Sequence, residues 1–153
     1  MSEMALVDTE GEGLEIGRTV RLRIPARPEY IALARLALSG VAELSTLSEE
    51  DVADLKLALT EAVSNSVRHA YSGGEGSVSV AYELTASTLQ IEVTDDGAGF
   101  DPATAAQREG DEISEGGLGI AIIRTIADEL EIVSQPGERG SRLRFVKRLQ
   151  PAS

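Results

Sequence analysis

The stretch that decides the fold is DVADLKLALTEAVSNSVRHAY, residues 51–71. Its mostly apolar positions recur three and four residues apart, which is the spacing of one face of an α-helix. The members of this stripe are Val52, Leu55, Leu59, Ala62, Val63, Ser66, Val67 and Ala70. Just before them, Ser48 followed by Asp51 resembles a capping box with a shortened acid. The pattern predicts a helix that opens at Ser48 and turns its stripe toward a sheet.

Further helix and strand patterns lie on both sides of this helix in the sequence. Strands are predicted at 19–24, 77–84, 88–95, 131–135 and 141–149, and helices at 29–44 and 118–130. The order β-α-α-β-β-loop-α-β-β predicts an α+β fold, a two-layer α/β sandwich with helices on one face of a mixed, mostly antiparallel sheet. We expect one domain over residues 18–150. Residues 1–17 are expected to form a polar, flexible leader.

Composition narrows the possible functions. The chain has 153 residues, no Cys and a formal net charge of −12. The absence of Cys excludes disulfides and thiol catalysis, and the negative charge disfavours binding to nucleic acid phosphates. No apolar run of about 18 residues and no signal-peptide pattern is present, so we expect a cytoplasmic protein without membrane contact.

The long helix carries polar residues beside its apolar stripe. Glu61, Asn65 and His69 are four residues apart, so their side chains project from one face of the helix. A carboxylate beside a carboxamide can ligate Mg²⁺, and the carboxylate can accept a proton. The alternatives are a solvated helix face for Glu61 and Asn65, and for His69 an interaction with carbonyl groups at the helix C-terminus.

Two glycine-rich segments follow. VTDDGAGF, residues 93–100, could form a hairpin turn, or its spaced glycines could let the backbone approach a nucleotide closely. A hairpin needs a partner strand, but the polar segment 101–117 comes next, and loops of this length are often lids. At 115–120, EGGLGI opens a helix, where free backbone N–H groups suit a phosphate. An acidic Ca²⁺ loop at 95–112 is a remote alternative.

Together and in this order, the three segments resemble the N box and the two glycine boxes of the GHKL (Bergerat-fold) ATPase and kinase superfamily. Glu61, Asn65, His69 and Ala70 match its helix pattern E-x-x-x-N-x-x-x-H-[AG]. Asp95, Gly97 and Gly99 match its D-x-G-x-G box. With the short lid, GGLGIAIIRTIADEL and the closing GSRLRFVKRL, the chain most resembles the small anti-sigma factor serine kinases of the sporulation and general-stress-response type.

The resemblance implies a role for each matched residue. Glu61 would be the catalytic base, Asn65 would bind both ATP and its Mg²⁺, and Asp95 would contact the adenine. ATP binding is also implied for Gly97, Gly99, Gly117, Leu118 and Gly119. Further candidate site residues are His69, Arg108, Gly116 and Ser141. Arg108, the single basic residue of the lid, would reach the γ-phosphate or a partner, or it would be a solvated loop charge. The ATP lid would span about residues 101–116.

The resemblance also implies partners. These are a sigma factor of RNA polymerase, an anti-anti-sigma antagonist of the STAS type that is phosphorylated on Ser or Thr, and a second copy of the chain in a homodimer. Two other functions stay open. One is a non-catalytic module that binds ATP while it sequesters a partner. The other is a stand-alone catalytic domain of the histidine-kinase type, which would phosphorylate a separate His-bearing protein.

Overall fold

The computed structural model describes residues 3–10, 16–70, 76–96, 117–133 and 140–150. These residues form six strands, three α-helices and a short 3₁₀ turn at Pro28–Tyr30. In chain order the elements are β1 (Glu3–Glu10), β2 (Ile16–Pro25), α1 (Ile31–Ala42), α2 (Glu49–Ala70), β3 (Ser77–Leu84), β4 (Thr88–Asp95), α3 (Gly117–Ile126), β5 (Glu129–Val133) and β6 (Ser141–Arg148).

The strands form one sheet in the order β1-β2-β3-β4-β6-β5. The predicted α+β sandwich is therefore confirmed. Each ladder between the described strands is antiparallel, so the sheet is antiparallel rather than mixed in this part of the chain. The position of β6 explains why the described strands form no parallel pair. Strands β4 and β5 run in the same direction, but β6 lies between them and pairs antiparallel with both.

The N-terminal residues differ from the predicted leader. Glu3–Glu10 form β1, which pairs with β2 along its whole length at the edge of the sheet. The apolar run from Met4 to Val7, followed by Gly11 and Gly13, is the signal that a strand and a turn would give. The acidic residues around this run suggested a solvated leader, but pairing with a neighbouring strand satisfies its backbone groups.

The helices cover one face of the sheet. Helix α2 packs on β3 and β4, α1 packs on β2 and β3, and α3 packs on α2 and β5. Side chains of β3 and β4 alternate between the buried face and the other face, as period-two strands should. On the other face, ion pairs join Arg142 to Glu92 at 3.4 Å and Arg144 to Glu131 at 3.2 Å. The core therefore lies between the helices and one face of the sheet.

A buried tyrosine joins the two layers. The hydroxyl of Tyr82, on β3, donates a 2.7 Å hydrogen bond to the backbone carbonyl of Ala34 on α1. Burial raises the pKa of Tyr82 well above its ordinary value, because the anion would lose its hydration. The bond satisfies a polar group that the core would otherwise leave without a partner.

Helix α2 begins as the sequence predicts. The backbone N–H of Asp51 donates a 3.0 Å hydrogen bond to Oγ of Ser48, so this serine caps the helix. The stripe then faces the core, where Leu55, Leu59 and Val63 are fully buried. None of the helices in the described part of the chain combines the length and apolar composition that crossing a membrane requires.

Helix α3 is shorter than the predicted helix over 118–130. It ends at Ile126, and β5 already begins at Glu129. The chain leaves the helix at Asp128, whose N–H donates to the carbonyl of Val146 at 2.8 Å. Its carboxylate accepts a 2.7 Å bond from the N–H of Arg148. Pairing with β6 thus ends the helix, although the apolar spacing continues to Leu130.

Candidate functional site

Helix α2 places one predicted site residue in an unusual environment. Asn65 is only 4% exposed, although Asn is a poor helix former and usually lies at the surface. Glu61, one turn earlier, is half-buried. A fully solvated face therefore does not describe this part of the helix. The two residues bring a carboxamide and a carboxylate to the edge of the apolar core.

Arg68 holds the side chain of Asn65. Its Nη2 atom donates a 2.8 Å hydrogen bond to Oδ1 of Asn65, one helical turn away. The spacing of three residues is the signal that could have shown this pair in the sequence, because such residues are neighbours on a helix. Arg68 was not among the predicted site residues. The guanidinium of Arg68 therefore contacts Oδ1 of Asn65, the oxygen atom that we predicted to bind Mg²⁺.

Glu61 lies against the first turn of α3. A Cβ atom built on Gly119 would lie 2.7 Å from Oε1 of Glu61, so the backbone of α3 passes close to the carboxylate. Behind this contact, Ile120 and Ile123 of α3 are buried. The first turn of a helix presents N–H groups that lack partners inside the helix, and it favours negative charge. The structure thus brings together two predicted site residues that are far apart in the sequence.

Asp95 ends β4 on the helix-covered face of the sheet. The alternation that buries Leu89, Ile91 and Val93 places Asp95 on the same side. It therefore follows the apolar residues at the point where the core ends. Asp96 comes after the strand and is exposed. The strand geometry separates the two acids that the sequence places side by side.

Two residues of the last hairpin contact Asp95. Oγ of Ser141, on β6, donates a 2.5 Å hydrogen bond to Oδ2 of Asp95. The preceding Gly140 has φ = +86°, and a Cβ there would lie 3.1 Å from the carbonyl oxygen of Asp95. Both the backbone conformation and the close approach favour glycine at this position. Gly140 was not among the predicted site residues. Its signal in the sequence is the spacing of Gly137 and Gly140 before the last strand, a pattern that predicts a turn.

Several predicted site residues lie wholly or partly outside the part of the chain that the structure describes. Gly97, Gly99, Arg108 and Gly116 lie outside the described residues, as do the side chains of His69 and Leu118. Gly117 is the first residue of α3. The predicted roles of these residues stay predictions.

The described oxygen donors fit Mg²⁺ better than a transition metal. Among the described residues, no group of three or more His, Cys, Asp or Glu side chains could hold a metal ion. Mg²⁺ does not need such a group, because it usually takes one or two protein oxygens and completes its shell with water and substrate phosphates. Asn65 and Glu61 can supply oxygens of this kind.

Comparison with known proteins gives a consistent family. Residues 24–147 match the model of the histidine kinase-like ATPase domain. The serine-protein kinase RsbW of Listeria innocua is 39% identical over 127 residues, which are 77% of this chain and 81% of that protein. The serine-protein kinase RsbW of Bacillus pumilus is 37% identical over 141 residues, 84% of this chain and 86% of that protein.

A more distant relative and a solved structure agree. The serine-protein kinase RsbW of Staphylococcus aureus is 33% identical over 141 residues, 86% of this chain and 89% of that protein. The crystal structure of the RsbU and RsbW domains of Rv1364c from Mycobacterium tuberculosis superposes with a TM-score of 0.61 at 23% identity. The match covers 86% of this chain and 33% of that one, and it supports the fold.

Proposed function

Because the chain belongs to the histidine kinase-like ATPase family, we propose that it is a serine-protein kinase and anti-sigma factor of the RsbW kind. It transfers the γ-phosphoryl group of ATP to a Ser or Thr hydroxyl of a protein. One observation in the structure carries the proposal: Glu61, on the core helix, lies against the first turn of α3. A carboxylate that can accept a proton then adjoins a helix start whose free N–H groups can bind phosphate.

Asp95 is the residue that we assign to the adenine. A carboxylate has about four acceptor sites, so Asp95 can keep the hydrogen bond from Ser141 and still accept one from the amino group of the base. The bond from Ser141 fixes the orientation of the carboxylate before nucleotide arrives. Gly140 lets the hairpin backbone lie close to the same residue.

Asn65 is the residue that we assign to Mg²⁺. Its Oδ1 atom is already oriented by Arg68, and burial of the side chain keeps it in one position. Asn65 would hold the Mg²⁺ ion, which would supply positive charge to offset the negative charge that develops during transfer. Arg68 keeps a positive charge beside Oδ1 when the metal is absent, so the metal must compete with it or share the oxygen.

Glu61 is the residue that we assign as the base. The serine hydroxyl oxygen forms a bond to the γ-phosphorus while the bond from that phosphorus to the bridging oxygen breaks, and ADP leaves. Glu61 accepts the hydroxyl proton. Phosphoryl transfer depends mainly on position and charge stabilisation, so an oriented carboxylate at this place is sufficient protein chemistry.

The partners follow from the family. We propose that the chain binds a sigma factor, and that it phosphorylates an anti-anti-sigma protein of the STAS type. A net charge of −12 suits a partner with a basic surface. We expect the chain to act as a homodimer in the cytoplasm, where ATP is available.

Phosphate transfer to a purified STAS-domain antagonist tests the proposal. The assay uses γ-labelled ATP with Mg²⁺, and a Ser→Ala antagonist variant serves as a negative control. Glu61→Gln should abolish most of the transfer because the amide cannot accept the proton. Glu43→Gln, an exposed residue after α1, removes the same charge and should leave transfer unchanged.

The outcomes separate the alternatives. A product that survives acid is phosphoserine or phosphothreonine, whereas loss of the label in acid would indicate phosphohistidine and the histidine-kinase type of activity. Binding of ATP and partner without any transfer would favour the non-catalytic module. Full transfer by Glu61→Gln would show that the assigned base is wrong.

A further inference from the structure

The close approach between Gly119 and Glu61 is at the carboxylate of Glu61, whereas the distances to the rest of the side chain are ordinary van der Waals contacts. A Cβ on Gly119 would lie 2.7 Å from Oε1, 3.5 Å from Cβ and 3.6 Å from Cδ of Glu61. Real Cβ atoms essentially never approach another heavy atom closer than 3.0 Å. Any side chain at position 119 therefore requires something to move. By contrast, a Cβ on Gly40 in α1 would meet nothing within 4 Å.

The surrounding packing decides what moves. Next to Glu61, Ala62 and Val63 are 1% and 0% exposed, which fixes the backbone of α2. Next to Gly119, Ile120 and Ile123 are 1% and 0% exposed, which fixes the backbone of α3. Close-packed interiors resist such shifts, whereas a half-buried glutamate side chain can rotate. The group that gives way is the carboxylate of Glu61.

We propose that Gly119 is a positioning residue for the base: the missing side chain at 119 keeps the carboxylate of Glu61 in its reactive place. The inference rests on the proposed function only in taking Glu61 as the base. It differs from a role in nucleotide binding, in which a glycine at a helix start lets the backbone approach a phosphate. The two roles predict different defects when a methyl group is added.

Kinetics with Gly119→Ala distinguish these roles. We expect kcat for antagonist phosphorylation to fall about 100-fold, because a displacement of about 1 Å can cost this much. The KM for ATP and the Kd of ADP should change less than about threefold, because nucleotide contacts are retained. Gly40→Ala, the matched control, should leave all three constants unchanged. A loss of ADP affinity as large as the loss of kcat would overturn the proposal.

A stability cycle tests the contact without any activity. Urea unfolding is measured for the wild type, Gly119→Ala, Glu61→Ala and the double variant. In the wild-type background Gly119→Ala should change the urea midpoint less favourably than in the Glu61→Ala background, because the carboxylate must rotate away from the added methyl group. In the Glu61→Ala background it should leave the midpoint unchanged or raise it, because the clash is gone and Ala favours helix more than Gly. An equal change of the midpoint in both backgrounds would refute the contact.

The cycle also separates this inference from the proposed function. If the wild type phosphorylates no antagonist, the kinase proposal fails, while the cycle still decides whether Gly119 accommodates Glu61. If Gly119→Ala does not fold, the double variant with Glu61→Ala should recover folding. A double variant that stays unfolded would contradict the inference.

Discussion

Ser141 and Asp95 are directly opposite each other on β6 and β4, and the serine hydroxyl donates a 2.5 Å hydrogen bond to Oδ2 of the carboxylate. The bond joins residues that are 46 positions apart in the chain. A charge-assisted bond of this length is stronger than one between neutral groups. It ties the end of β4 to the last strand at the point where we expect the adenine to bind.

Ser141→Ala should weaken nucleotide binding while leaving the fold intact. Without this bond the carboxylate must be ordered when the nucleotide binds, at a cost of about 0.5–1.5 kcal/mol, so we expect the Kd of ADP to rise about twofold to tenfold. Calorimetric titration with ADP measures this change. Ser79→Ala, on the neighbouring β3 and off the helix-covered face, is the matched control. Unchanged ADP affinity in Ser141→Ala would show that this bond does not prepare the site.

Asp95→Asn should damage nucleotide binding far more than Asp96→Asn. Both changes remove one charge, but only Asp95 lies on the helix-covered face. We expect the Kd of ADP to rise at least about 30-fold for Asp95→Asn and less than about twofold for Asp96→Asn. Equal effects of the two changes would refute the assignment of Asp95 to the adenine.

Arg68→Met should change the metal dependence of nucleotide binding. The guanidinium occupies one lone pair of Asn65 Oδ1, so its removal should lower the Mg²⁺ concentration needed for half-maximal ATP binding. It should also lower the free energy of unfolding by about 1 kcal/mol, the usual worth of such a bond. Titration with Mg²⁺ at fixed ATP gives the first quantity and urea unfolding the second. Arg35→Met, at an exposed position of α1, is the control.

Should Arg68→Met instead require more Mg²⁺, the idea of competition would be wrong. Arg68 would then assist the bound metal and nucleotide, for example by holding Asn65 in its ligating orientation.

Tyr82→Phe should destabilise the fold in a way that depends on pH. At neutral pH the lost bond to Ala34 should lower the free energy of unfolding by about 1–2 kcal/mol. Burial raises the pKa of Tyr82 in the folded chain, so above its ordinary value of 10.0 the unfolded chain releases a proton that the folded chain keeps. The stability of the wild type must therefore fall as the pH rises past that value.

The variant lacks this ionisable group, so the difference in stability between wild type and Tyr82→Phe should shrink between about pH 9 and pH 11. Urea unfolding at both values measures it. Tyr30→Phe, at the start of α1, is the control. A constant difference over this range would contradict a buried, protonated Tyr82.

Local pattern was enough to predict most of the described elements, and it singled out candidate site residues whose roles stay predictions. Helical spacing predicted α2 and its cap at Ser48, and alternation predicted β3 and β4. Glu61, Asn65 and Asp95 stood out because acids and an amide adjoin apolar stripes or glycines. These signals involve residues that are close in the sequence, where period and propensity act directly.

The features that the sequence did not predict depend on contacts between residues that are far apart in the chain. The position of β6 between β4 and β5, and with it the bond from Ser141 to Asp95, requires the register of strands that are far apart in the chain. The close fit of Gly119 to Glu61 depends on how α3 packs on α2. Strand β1 was missed because acidic residues flank a short apolar run, and only pairing with β2 distinguishes it from a leader.

The position of β6 inside the sheet, between β4 and β5, determines what a shortened chain would lose. A chain that ended before Ser141 would leave the hydrogen-bonding edges of both β4 and β5 without their partner. Open edges of this kind promote pairing between molecules and aggregation. Because Ser141 begins this strand, the same loss would remove the hydrogen bond that Ser141 donates to Asp95. The strand that joins β4 to β5 therefore also supplies a hydrogen bond that orients Asp95.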